Sequence, residues 1–166
     1  MRTLIVAPVL AAALFFAGFG LAGGSSTVKL TARLDATQET PAPKAATRAD
    51  GAFSATLSGR RLTWRLTFVR LTGRAVAAHV HLGRLRVAGP VAVPLCGPCA
   101  SGAHGTVTVT PRLRWALLAG NAYVNVHTAR NPAGEIRGQI EGPHGVMPAP
   151  RTTTTTPTTT GGGYGY

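Results

Sequence analysis

The residues whose types and spacing could do chemistry in this chain are few. Ala77-Ala78-His79-Val80-His81-Leu82-Gly83 sets two imidazoles at i and i+2. On a strand that spacing projects both rings from one face, with Ala78 and Val80 on the other. In Tyr123-Val124-Asn125-Val126-His127 the valines take the apolar face, which leaves Asn125 and His127 on the polar one. In Glu135-Ile136-Arg137-Gly138-Gln139-Ile140 the isoleucines point inward, so Glu135, Arg137 and Gln139 point outward. If these three strands adjoin, His79, His81 and His127 converge on a wet polar face with Arg137 beside them. Three neutral imidazoles and an open coordination position suit copper or zinc. Arg137 would steer small anions toward the open position. An HxH pair is a weak signal by itself. The same histidines could instead hydrogen-bond across strands, and to Glu135, and serve only to fix register.

Cys96-Gly97-Pro98-Cys99 has the spacing of a thiol redox motif. That chemistry needs its first thiolate at a helix N-terminus, where the pKa falls. Here the motif lies between two expected strands with no helix behind it, so the expectation is a short structural disulfide, Cys96 to Cys99. His104, just beyond, is a lone loop histidine. Asp35, Glu39, Asp50, Glu135 and Glu141 are the only acids, too few to favour paired-carboxylate hydrolysis, and no GxSxG nucleophile motif occurs. These residues favour binding over hydrolytic catalysis.

The elements that must position these residues are strands. From Thr27 onward the dominant hydrophobic period is two. Val28, Leu30, Ala32 and Leu34 alternate with polar residues, as do Phe53, Ala55 and Leu57, and then Leu62, Trp64, Leu66 and Phe68. The last two runs flank Ser58-Gly59 and read as a hairpin. Further strands are expected at Val76–Leu82, Val91–Leu95, Gly105–Thr110, Ala122–His127 and Glu135–Ile140, with one or two helical turns at Leu113–Leu118. Eight short strands with Gly and Pro punctuation predict an all-β, antiparallel Greek-key sandwich or barrel with one wet face per strand.

Outside this region the composition changes. Arg2 followed by an apolar run from Leu4 to Leu21, with small residues around Gly20 and Ala22, predicts a cleavable signal peptide over 1–22 and no membrane span after its removal. The ordered domain is expected over 25–142. Residues 143–166, with their Thr152–Thr156 run and Gly161–Gly163, are too poor in apolar surface to offset ordering entropy and read as a disordered tail. The formal net charge is +12, nearly all of it arginine and spread over many segments. No nucleic-acid-binding motif is present. The partner class the charge suggests is an anionic polymer such as those of a cell wall.

Five stretches carry a family resemblance. They are Gln38-Glu39-Thr40-Pro41, the His79/His81 segment, Gly89-Pro90-Val91-Ala92-Val93, Gly120 to Thr128, and Asn131 to Ile140. Together they resemble the CHRD domain, a module named from chordin and common in secreted bacterial proteins. The resemblance covers about Leu30 to Glu141, and it implies an extracellular setting without a settled activity. A fainter similarity is to the Greek-key barrels of copper/zinc superoxide dismutases. In those, copper is held by an HxH strand and a later histidine, with an arginine near the open copper face. His79, His81, His127 and Arg137 follow in that order. The long loop carrying the bridging histidine and zinc ligands has no counterpart between Gly83 and Gly120, so the resemblance implies at most a mononuclear copper site.

Three readings follow. The first is a non-catalytic, secreted or cell-wall-associated module that binds an extracellular ligand. The second is a mononuclear copper protein with a dismutase-like or copper-carrier role. The third is a structural envelope protein whose histidines only set strand register.

Overall fold

A computed structural model describes residues 26–143; the leader expected over 1–22 and nearly all of the tail expected from 143 fall outside them. The alternating runs form the strands that their period predicts. The strands are β1 (Thr27–Asp35), β2 (Asp50–Ser58), β3 (Arg61–Val69), β4 (Ala75–Leu82), β5 (Val91–Cys96), β6 (His104–Thr108), β7 (Ala122–Thr128) and β8 (Ile136–Gln139). One short helix, α1 (Pro111–Leu118), interrupts the series. All eight strands join one antiparallel sheet in the order β5-β4-β7-β8-β1-β2-β3-β6. The fold is all-β, as expected.

Chain neighbours pair in β1–β2–β3, β4–β5 and β7–β8, while the links β3 to β4, β5 to β6 and β6 to β7 cross the fold. The segment after β5 closes the gap between the two ends of the sheet. Cys99 donates its N–H to Ala75 O at 3.0 Å, and Leu66 N–H reaches Ala103 O at 2.8 Å. Those bonds tie β4 to one side of the segment and β3 to the other, so the sheet curls into a nearly closed barrel. Cys96 and Cys99 are disulfide-bonded within it, with Cα atoms 5.3 Å apart. No helix follows the pair: the chain passes through turns into β6.

Inward positions fill the barrel. Leu30, Phe53, Leu57, Leu62, Leu66, Val80, Val124, Val126, Ile136 and Ile140 are all at most 1% exposed. Each such side chain contributes roughly 1.5–3 kcal/mol by leaving water. Helix α1 begins where Thr110 caps it, its hydroxyl accepting from Leu113 N–H at 3.1 Å with Pro111 in the first turn. It sets Leu113, Ala116 and Leu117 into the core. Among the described residues no helix is long and apolar enough to cross a membrane.

One sequence expectation fails here. The polar faces of β7 and β8 are not wet. Asn125 is 3% exposed, Arg137 1%, Gln139 5% and Glu135 0%. Two loops, one over residues 36–49 and the other over 83–90, lie across those faces and hydrogen-bond to them, as described next.

Candidate metal site and the polar layer around it

Strand pairing places the site. β4 and β7 pair with His79 opposite Asn125, His81 opposite Tyr123 and Ala77 opposite His127. β7 and β8 pair with Asn125 opposite Arg137 and Tyr123 opposite Gln139. Directly opposed residues point to the same side of a sheet, so the three histidines share one face. Their ring nitrogens converge: one ligand atom from each of His79, His81 and His127 lies within 4.8 Å of the other two. His79 Nδ1 and His127 Nε2 are 3.0 Å apart.

The outer contacts of the rings fix which nitrogens carry protons. His127 Nδ1 lies 3.0 Å from Pro132 O, and His81 Nδ1 lies 2.8 Å from Gly89 O. A carbonyl only accepts, so both Nδ1 atoms are donors, and in the neutral rings each Nε2 carries the lone pair. His127 Nε2 then accepts from His79 Nδ1–H. His81 Nε2 is buried without a partner. Burial lowers the pKa of His79, with His81 adding to the effect. Burial also lowers that of His127, against the opposing bond to Pro132 and with smaller contributions from His79 and His81. Both rings are therefore held neutral, the state that binds metal.

His81 stacks on Tyr123, with ring centroids 4.8 Å apart and planes 12° from parallel. The Arg137 guanidinium lies over the same tyrosine, 3.4 Å from the ring centroid. Arg137 is thus not on an open face. Its Nη2 donates to Arg84 O at 2.8 Å and to Val87 O at 3.1 Å, which clips the 83–90 loop down, while Nε and Nη1 have no partner. Tyr123 holds the same loop from below through its hydroxyl, which accepts from Gly89 N–H at 3.1 Å. Gln139 Nε2 donates to Gly83 O, Gly120 O and Ala122 O.

Two buried acids, neither singled out as a site by the sequence pattern, complete the layer. Burial alone would raise the Glu135 carboxyl. Hydroxyls of Thr128, Thr72 and Thr47, together with Thr72 N–H, donate to it at 2.6–2.7 Å and hold its pKa at about 2. Glu39 has the opposite balance. Burial pushes it up to about 7 against the pull of Arg137, and its Oε1 has no partner. Gly134 packs on the Glu39 carboxylate with φ +141°, a backbone that disfavours side chains, and a Cβ there would run into that group. Asn131 pins the covering loop by accepting from Ala45 N–H at 2.8 Å. His104 stays apart, exposed on β6.

Residues 30–140 match the CHRD domain family. No curated protein and no solved structure matches the chain.

Proposed function

Since the chain belongs to the CHRD domain family, whose members occur in extracellular proteins, we propose that it is an extracellular binding module whose ligand is a single copper ion held by His79, His81 and His127. The observation that carries this reading is the convergence of three imidazole nitrogens, one of them the buried, partnerless Nε2 of His81. A buried lone pair without a donor costs free energy in the free protein, and a metal ion at that point removes the cost. His127 and His81 already give their outer N–H groups to backbone carbonyls, the arrangement that orients imidazole ligands and raises their basicity. His79 would change tautomer, carrying its proton on Nε2 and freeing Nδ1. With metal–nitrogen bonds of roughly 2 Å, ligand atoms on one ion lie about 3–4 Å apart. A spread of up to 4.8 Å therefore needs about 1–2 Å of closure. Among divalent first-row ions an imidazole set binds copper most tightly. The Cys96–Cys99 disulfide suits the oxidising exterior.

The rival reading has its own support. The His79–His127, His81–Gly89 and His127–Pro132 bonds also anchor two loops, which is what purely structural histidines would do. A copper titration of the metal-free domain, followed by its ligand-field spectrum, separates the two. Copper binding with nitrogen coordination, abolished by replacing His79 and His81 together with Gln while circular dichroism is preserved, is the expected outcome. No copper affinity in the wild-type domain, or equal affinity in the double variant, would leave the histidines structural.

A further inference from the structure

On the other side of the barrel the outward residues of β1, β2 and β3 fall into rows fixed by the strand register. The first row is Thr27, Ser58 and Arg61, and the second is Lys29, Thr56 and Thr63. The third is Thr31, Ser54 and Arg65, and the fourth is Arg33, Ala52 and Thr67. One cation stands in each row, and the cations alternate sides: Arg61 on β3, Lys29 on β1, Arg65 on β3, Arg33 on β1. Between them β2 presents Ser58, Thr56 and Ser54. Successive rows are about 6.6 Å apart along the strands, and the strands are about 4.8 Å apart. Each cation therefore stands ~12 Å from the next across a track of hydroxyls. An open depression of about 460 Å3 follows this track, with Lys29, Thr31, Ser54, Thr56, Thr63 and Arg65 along its walls. Leu30, Ala55 and Trp64 also line it, and His104 of β6 stands at its side.

The four cations are exposed and unneutralised. The one ion pair among the described residues is Arg70 with Asp50. Acids touch the face only at its margins. Asp35 and Asp50 close the row beyond Arg33, and Glu141 sits opposite Thr31 at the β1 edge. A face that holds four like charges in a regular zigzag loses stability to their repulsion unless something anionic offsets it.

We propose that this face binds a linear polyol-phosphate polymer, laid along β2 with successive phosphates meeting Arg61, Lys29, Arg65 and Arg33 on alternate sides and polyol hydroxyls meeting Ser54, Thr56 and Ser58. The step between rows is close to the spacing of phosphates joined by a short polyol, and a hydroxyl track matches a polyol rather than an apolar chain. A single-stranded nucleic acid has similar phosphate spacing, but its binding sites add aromatic platforms for the bases. The rows on β1, β2 and β3 carry no outward aromatic residue. The rings at the depression are His104, beside Arg65 on β6, and Trp64, which is buried. The surface lies on strands other than those carrying the histidines and does not depend on metal.

The test measures affinity of the whole secreted chain for poly(glycerol phosphate) at several salt concentrations. Single-stranded oligothymidylate of matched charge and monomeric glycerol phosphate are the comparison ligands. The variant Lys29→Gln, Arg33→Gln, Arg61→Gln, Arg65→Gln removes the zigzag. A charge-matched control replaces Arg48, Arg74, Arg86 and Arg130, all exposed and off this face. The expected result is polymer binding that falls about 10²–10³-fold at low salt in the zigzag variant, with a salt slope smaller by roughly 3, and little change in the control. Monomer should bind weakly and oligothymidylate less well than polymer. Equal losses in both variants would show that net charge alone acts, and equal or tighter binding of oligothymidylate would assign the face to nucleic acid. Either result overturns the proposal, as does absence of polymer binding to the folded wild-type chain.

Discussion

Two three-stranded ribbons in this barrel, β1–β2–β3 and β4–β7–β8, have the same antiparallel pairing and the same apolar inner face, but their outer faces have opposite fates. On the first, Lys29, Thr31, Arg33, Ser54, Thr56, Thr63 and Arg65 are exposed. On the second, His81, Tyr123, Asn125, Arg137 and Gln139 are at most 8% exposed. The difference teaches that alternation reports only which side faces the core. Whether the other side meets water depends on loops that have no period. The polar residues of the second ribbon are buried because loops 36–49 and 83–90 bring partners for most of them, and a buried polar layer holds only while it stays satisfied.

The largest expected effect follows from that layer. Glu135→Ala removes the acceptor shared by Thr47, Thr72 and Thr128 and leaves four donors, one buried and three half-buried, without it. It should cost about 3–5 kcal/mol in urea unfolding at pH 7. The folded-state pKa of Glu135, about 2, lies below its usual 4.5. Its contribution is therefore present above pH 4.5 and lost as pH falls toward 2. Wild-type and Glu135→Ala stabilities should converge in that window. A variant cost below 1 kcal/mol at pH 7 would break the comparison.

Glu39 should behave with the opposite sign. Its carboxyl is pushed up to about 7, so between pH 4.5 and 7 the folded chain keeps a proton that the unfolded chain has released. Stability from this group is complete below pH 4.5 and declines as pH rises through 7. Glu39→Gln fixes the neutral form. It should stabilise the domain by about 2 kcal/mol at pH 8 and by almost nothing at pH 4. Denaturant midpoints at the two pH values check it, and a variant less stable than wild type at pH 8 would mean that the pair with Arg137 outweighs burial.

These residues also mark where sequence reading stopped. Every expected strand formed within a few residues of its place, because each carried an apolar residue at every second position. Leu62, Trp64, Leu66 and Phe68 are buried as that pattern requires. The shared face of His79, His81 and His127 was also legible, from spacing within two strands. That β4 and β7 pair directly is a long-range fact, settled by crossing links, and spacing alone could only assume it. Arg137 was placed on the correct side of β8 but in the wrong environment. Nothing local to Glu135-Ile136-Arg137 reveals that Tyr123 and the carbonyls of Arg84 and Val87 close over it. The polar run Asn131-Pro132-Ala133-Gly134-Glu135 held the one available hint. Its polar residues are buried, and they tie the covering loop to the sheet.

A smaller effect is expected at the seam where the barrel nearly closes. Cys96 and Cys99 close a loop of very few residues, so the bond restricts the unfolded chain weakly. Replacing both with Ser should cost about 2 kcal/mol or less by the loop-entropy relation. Thermal unfolding with and without reductant measures it. A loss as large as that of Glu135→Ala would mean that the disulfide, rather than the bonds of Cys99 to β4 and Ala103 to β3, holds the seam together.

The smallest effect belongs to the exposed ribbon. Thr63 faces solvent on β3, and its hydroxyl meets Thr106 on β6 at 3.2 Å. In water that bond exchanges with solvent bonds of nearly equal strength. What remains is the β-propensity of threonine and its side-chain contact across the pair, a fraction of a kcal/mol. Thr63→Ala should therefore cost under about 0.5 kcal/mol. The matched change on the buried ribbon, Thr128→Ala, strips one donor from Glu135 and should cost about 1–3 kcal/mol. Both replace threonine by alanine on antiparallel strands, but Thr128 lies in phase with Val124 and Val126 and is fully buried against Glu135, so the comparison sets a buried threonine hydroxyl against a solvated one. Equal costs by urea unfolding would show that the segments carrying Thr47 and Thr72 do not seal Glu135 in solution. A several-fold gap would show that the polar layer under them is as much a part of the folded core as the leucines within the barrel.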